Sequence, residues 1–146
     1  MNRVKIEFPQ VEPLFVTSVN VRISDINYGN HLGNDSLLSI VHEARVAWLV
    51  ANGLSELNVG DNTGMIMADC MIAYKNEAFY GDVLTIALFA TEITTYTYDL
   101  LYRITTLRNG QEIPVAYAKT GMICFNYANR TKALIPNSLK QLFNPQ

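Results

Sequence analysis

The sequence predicts an α+β protein in which an antiparallel sheet wraps one long apolar helix. Three observations carry this expectation. Residues 35–52 are the one long stretch with helical apolar periodicity. Strand-like segments precede it, and more follow at 64–74, 83–91, 95–107 and 112–127, joined by short connections. The last of these has a face of small and medium side chains (Ala116, Ala118, Thr120, Met122, Cys124) that lets a helix approach closely. One apolar helix and a large curved sheet bury each other only if the sheet wraps the helix.

Taken in order, residues 4–8 alternate polar and apolar side chains and read as a first strand, ended by Pro9. Residues 14–23 read as a second. Residues 24–34 hold three Asn and two Gly and read as an ordered loop. The helix over 35–52 starts at a cap supplied by Asn34 or Asp35 and stops at Gly53. Leu37, Ile40, Val41, Ala44, Ala47, Trp48 and Ala51 form a wide apolar face. Asp35, Ser39, His42 and Glu43 align as a narrow polar stripe flanked by Leu38 and Leu49, so the helix reads as buried on most sides with one polar seam. After a loop through 58–63, strand 64–74 divides into an even face (Ile66, Ala68, Cys70, Ile72, Tyr74) and an odd face (Met65, Met67, Asp69, Met71, Ala73). In 95–107, Tyr96, Tyr98, Leu100, Tyr102 and Ile104 face inward. Asn109-Gly110 marks a hairpin, because this pair tolerates positive φ at both central positions. Residues 128–132 read as a second turn, and 138–143 as a short closing helix.

The 146 residues are 49% hydrophobic and 16% charged, with a formal net charge of −2, which fits one domain over 1–146 with a continuous core. The charged share lies well below the usual fraction of about 25%, and disorder needs the opposite composition. Eleven Lys+Arg with no basic run argue against nucleic-acid binding. Eight Tyr and six Phe at so low a charge point to apolar surface buried by self-association. The N-terminus has neither signal-peptide nor transit-peptide character, and no apolar stretch approaches 18 residues, so no membrane span is expected. Cys70 and Cys124 fit no metal or redox motif and read as two buried free thiols, which suits a cytoplasmic protein. With only His31 and His42 besides, no structural metal is expected.

The loop Ser24-Asp25-Ile26-Asn27-Tyr28-Gly29-Asn30-His31-Leu32-Gly33-Asn34, the helical Glu43-Ala44-Arg45, and Tyr74-Lys75 followed by Gly81-Asp82 before a strand occur in one order and spacing. Together they resemble the hotdog-fold acyl-CoA thioesterases of the 4-hydroxybenzoyl-CoA thioesterase type, over nearly the whole chain. The resemblance implies a hotdog fold and hydrolysis of an acyl-CoA to free acid and CoA. It also implies edge-strand pairing into a homodimer or homotetramer, a site between subunits, and no cofactor beyond the CoA of the substrate. One departure of the loop from the family's pattern matters. The second acid of the family's D-x-D, its usual catalytic carboxylate, is matched here by Asn27, whose carboxamide cannot act as a base.

Thioester hydrolysis needs a water, a proton acceptor, and donors for the developing oxyanion. Asn27 is expected to hold the water or the carbonyl, and His31 or Glu43 to take the proton, with Asp25 in reserve. Amides at the helix start near Asn34 would polarise the carbonyl. Tyr28 and Gly29 complete the substrate-side loop, and Lys75 is a candidate for a CoA phosphate. Asp69, among methionines, reads either as a residue on a wet or paired face or as part of an acyl or pantetheine channel. The Asn residues also suit turns and caps, and Asp25 also suits a loop organiser. Asn27 keeps open a second function, a non-catalytic module binding acyl-CoA or an acyl carrier. A hotdog-type dehydratase using His31 with Glu43 or Asp25 is the third.

Overall fold

A computed structural model describes residues 1–143. In chain order the elements are β1 (Phe15–Asn20), a 3-10 turn (Ile23–Asp25), α1 (Asn34–Ala51), β2 (Gly64–Tyr74), β3 (Val83–Thr91), β4 (Thr97–Arg108), β5 (Gln111–Asn126), β6 (Thr131–Lys132) and α2 (Asn137–Phe143). The strands form one antiparallel sheet in the order β1-β3-β4-β5-β2, with β6 added to β5. β1 and β2 are therefore edges, and β2 pairs only with β5. The expected α+β architecture, a sheet around one long helix, is what the chain adopts.

α1 lays Leu37, Ile40, Val41, Ala44, Trp48 and Leu49 onto the inner face of the sheet, all of them buried. The sheet answers with Tyr98, Leu100, Tyr102 and Ile104 of β4, and with Ala116, Ala118, Met122 and Cys124 of β5. The small β5 residues leave the room that α1 occupies. α2 returns the chain to this core, where the Phe143 ring stacks on Trp48 and tilts against Tyr98. Beneath α1 a buried guanidinium, Arg45, donates to Glu56 Oε2 at 2.9 Å and to Tyr102 Oη at 3.2 Å.

Several expectations are corrected. Residues 4–8 form no strand. They lie over the outer face of the sheet, where Ile6 and Phe8 pack on Ala87, Phe89 and Leu101. A segment lying across a face satisfies its apolar side chains but meets no free ladder hydrogen bonds, which exist only at an edge. Residues 131–132 pair with β5 as β6 rather than ending in a turn. The helix has no side-chain cap from Asn34 or Asp35: Gly33 is its N-cap, in extended conformation, and α1 begins at Asn34. The helix is also less enclosed than its composition suggests. Leu49 and Arg45 are buried, while Leu38 and Val50 join His42 and Glu43 on the exposed side.

The strict alternation read into β2 fails at one residue. The register shifts between Met67, opposite Met122, and Asp69, opposite Gly121, so Ala68 is a bulge. Met65 and Met67 stand on the helix side, opposite Cys124 and Met122, and beyond the bulge Cys70, Ile72 and Tyr74 take that side. Asp69, Met71 and Ala73 turn to the outer face. Asp69 is thus not inserted among core methionines. It accepts from Lys119 Nζ at 2.8 Å and from the Gly121 N–H at 3.2 Å. The Lys119 bond, against a smaller opposing effect of desolvation, holds its carboxyl below the usual range.

Candidate functional site

The 24–34 loop is tied down mainly by backbone. The N–H of Asn27 bonds to the His31 carbonyl at 2.9 Å, and that of Asn30 to the Asn27 carbonyl at 3.1 Å, with Asn30 at a φ of 64°. Gly33 N–H bonds to the Asp25 carbonyl at 2.9 Å and Leu32 N–H to the Ala78 carbonyl at 2.7 Å. The last bond joins this loop to the segment after β2. That segment is anchored in turn by Asn76 Nδ2 to the Pro114 carbonyl at 2.7 Å and by Phe79 N–H to Asp82 Oδ2 at 2.8 Å. Arg108, at the hairpin end of β4, donates Nη2 to the Glu77 carbonyl at 3.0 Å and to Asp82 Oδ2 at 2.8 Å.

Between the two loops and the start of α1 lies a cavity of about 200 Å³. His31, Gly33, Asn34, Leu37, Tyr74, Lys75, Glu77 and Val115 are among its walls. The first helical hydrogen bond runs from Leu37 N–H to the Gly33 carbonyl at 3.3 Å, so the amides of Asn34, Asp35 and Ser36 precede it. With no capping side chain they are preorganised donors at the positive end of an 18-residue helix. His31 Nδ1 lies 3.2 Å from the Leu32 carbonyl. In the tautomer that donates this bond, Nε2 carries the free lone pair. Tyr74 Oη donates to the Asn34 carbonyl at 3.2 Å, and burial pushes its phenol up.

The structure divides the expected residues into two groups. His31, Asn34 and Lys75 line the cavity, with Lys75 Nζ also 5.2 Å from the centre of the Tyr117 ring. Asn27 and Gly29 adjoin it: a Cβ on Gly29 would lie 3.2 Å from both Asn27 Oδ1 and His31 Nε2. Asn27 Oδ1 accepts from the Gly29 N–H at 2.8 Å. Tyr28 stands fully exposed at the tip of the same turn. Asp25, in contrast, is buried and accepts from the Arg22 backbone N–H at 2.9 Å and from its guanidinium at 3.3 Å. Glu43 sits on the exposed side of α1 and Asp69 on the outer face of β2, neither of them on the cavity wall. Glu77 is the one carboxylate on that wall among the described residues, and its Oε1 lies 3.9 Å from His31 Nε2. The sequence reading assigned Glu77 no role, although it lies between Tyr74-Lys75 and Gly81-Asp82, the segment that carried part of the resemblance. Among the described residues, no group of three His, Cys, Asp or Glu is placed to hold a metal ion. No helix among them is long and apolar enough to cross a membrane.

The start of α1 and the imidazole of His31 thus line one small cavity on a sheet wrapped around a helix, the architecture of a hotdog fold. The chain matches the thioesterase-like superfamily over residues 21–143 and belongs to it. It is 28% identical over 123 residues to a 1,4-dihydroxy-2-naphthoyl-CoA hydrolase of Acaryochloris marina, a match covering 82% of this chain and 88% of the relative. Among solved structures it is similar to a 1,4-dihydroxy-2-naphthoyl-CoA thioesterase from Synechocystis, with a TM-score of 0.78 and 25% identity, covering 90% of this chain and 96% of that one. The 4-hydroxybenzoyl-CoA thioesterase of Pseudomonas sp. strain CBS-3 shares the fold, with a TM-score of 0.76 and 16% identity over 88% of this chain and 97% of its own.

Proposed function

We propose that the chain hydrolyses an aromatic acyl-CoA thioester to free acid and CoA, using the cavity at the start of α1. The observation that carries this reading is the convergence of His31 Nε2 and the uncapped helix start on one cavity in a thioesterase-family chain. The aromatic acyl group is suggested by the names of the two relatives that act on 1,4-dihydroxy-2-naphthoyl-CoA. The thioester carbonyl sits over the first amides of α1, which stabilise the oxyanion as water attacks. His31 takes the proton of that water and returns it to the departing sulfur. Asn27, its Oδ1 held by Gly29, orients rather than accepts. Asp25, paired with Arg22, organises the loop. No cofactor enters this reaction.

The partner in this reading is a second copy of the chain. The unpaired edge of β2, with Met67 and Met71 exposed beside it, is where the copies pair. In this reading the site forms between the two copies. Asn27 at the usual carboxylate position favours a second reading, an acyl-CoA or acyl-carrier binding module without turnover.

Free-thiol release from a panel of aromatic and aliphatic acyl-CoAs separates the two. Turnover is expected on aromatic members, with His31→Ala slower by about 100-fold or more and Asn27→Asp no slower than wild type. Thermal protection by an acyl-CoA without any thiol release favours the binding module. A His31→Ala variant as fast as wild type removes His31 from the mechanism.

A further inference from the structure

The proposed reading leaves the site without the carboxylate that usually occupies the Asn27 position. We propose that Glu77 supplies it: Glu77 and His31 together hold the attacking water, and Glu77 is a catalytic residue of this chain. The inference rests on the thioesterase reading of the same cavity. His31 Nε2 and Glu77 Oε1 stand 3.9 Å apart. That is too long for a direct hydrogen bond, and it fits one water donating a proton to each atom. Such a water turns its lone pairs away from both acceptors, in a cavity that Gly33 and Asn34 at the helix start also line.

Three features fix the backbone that carries Glu77, whose carboxylate itself stands in solvent at the cavity mouth. Arg108 Nη2 holds its backbone carbonyl at 3.0 Å. The flanking Asn76 side chain is bonded to the Pro114 carbonyl, and the Ala78 carbonyl accepts the Leu32 N–H of the opposite loop. His31 is fixed by its Nδ1 contact with the Leu32 carbonyl, so both acceptors hang from backbone that is itself tied together. Lys75 and Tyr74 are the other titratable side chains on the cavity wall.

In the step, the water oxygen bonds to the thioester carbon as one of its protons passes to His31 Nε2. The other proton remains hydrogen-bonded to Glu77, whose charge stabilises the imidazolium. The carbon–sulfur bond then breaks, the electron pair leaves with sulfur, and the imidazolium proton passes to it. The products are the carboxylic acid and the CoA thiol.

The test compares wild type, Glu77→Gln, His31→Gln and the double variant, using the acyl-CoA that wild type turns over fastest. Binding is followed separately with phenacyl-CoA, whose CH₂ between carbonyl and sulfur blocks hydrolysis. Glu77→Gln is expected to lower kcat by about 10- to 100-fold with the affinity for phenacyl-CoA and the thermal midpoint unchanged. The double variant should be little slower than His31→Gln alone, as for groups that act as a unit. Full turnover in Glu77→Gln beside an active wild type overturns the role of Glu77 and leaves the thioesterase reading standing. A matching loss of phenacyl-CoA affinity makes Glu77 a binding group and overturns it too. A wild type inert on every acyl-CoA overturns the reading and this inference together.

Discussion

Arg45 is a charge placed in a core, and it is tolerable only because of its partners. Glu56 comes from the loop between α1 and β2 and accepts both from Arg45, at 2.9 Å, and from His42 Nε2, at 2.5 Å. On the other side Tyr102 Oη takes the second Arg45 bond and meets Thr120 Oγ1 at 2.8 Å, so no polar atom of this chain of contacts is left alone. Burial pulls the Glu56 carboxyl upward, but the bonds from His42 and Arg45 outweigh it and leave it below its ordinary value of 4.5. A depressed carboxyl contributes stability that is present above the unfolded value and lost as pH falls through the folded one. The thermal midpoint is therefore expected to fall as pH drops below about 4.5, and to fall less steeply in Glu56→Gln. At neutral pH the same variant should be less stable by about 1–3 kcal/mol. Parallel acid profiles for the two proteins would remove Glu56 from the linkage. Cys124 offers a contrast, since burial alone pushes its thiol up to about 11, and nothing around it answers the charge.

At the scale of elements, sequence periodicity works where one rule acts alone. β2 and β3 begin and end where alternation and flanking turn residues place them, and the Asn109-Gly110 hairpin has the positive φ values, 54° and 76°, that its composition demands. Gly110→Ala forces a side chain into that conformation and should cost about 1 kcal/mol, read as a lower thermal midpoint. An unchanged midpoint would mean that the turn relaxes. Periodicity misleads where two structures share one pattern. Residues 4–8 alternate like a strand, but lying across a face buries Ile6 and Phe8 as well as pairing at an edge would. The Ala68 bulge moves every later β2 side chain to the opposite face, and no residue type announces it. The candidate site was legible to the same degree. His31 and Asn34 lie in a loop leading straight into the helix, which the chain order displays. Glu77 is 46 residues past His31 in the numbering, and contacts such as the Leu32–Ala78 bond, made only in the fold, bring the two segments together.

Considered as a whole, the molecule has an outer sheet face crossed by its N-terminal segment and two edge strands, β1 and β2. The first 13 residues cross the outer face, from a hollow beside Ile72–Lys75, which Met1–Val4 help to line, to the start of β1. Phe8 is the anchor of this strap, 5.3 Å from the ring of Phe89 and 5.1 Å from that of Tyr117, with the Arg103 guanidinium 5.4 Å away. Phe8→Ala should lower stability by about 1–3 kcal/mol and leave the main core intact, a loss read from the denaturant midpoint at an unchanged slope. A variant as stable as wild type would show that the strap rides on the sheet without holding it.

The bond between Leu32 and Ala78 joins the two loops of the cavity through main-chain atoms alone. Backbone links of this kind are indifferent to which side chains they carry. A carboxylate on either loop would be aimed by the same frame. Scaffolds wired in this way lend themselves to redesign: new chemistry can be written into either loop without renegotiating the fold.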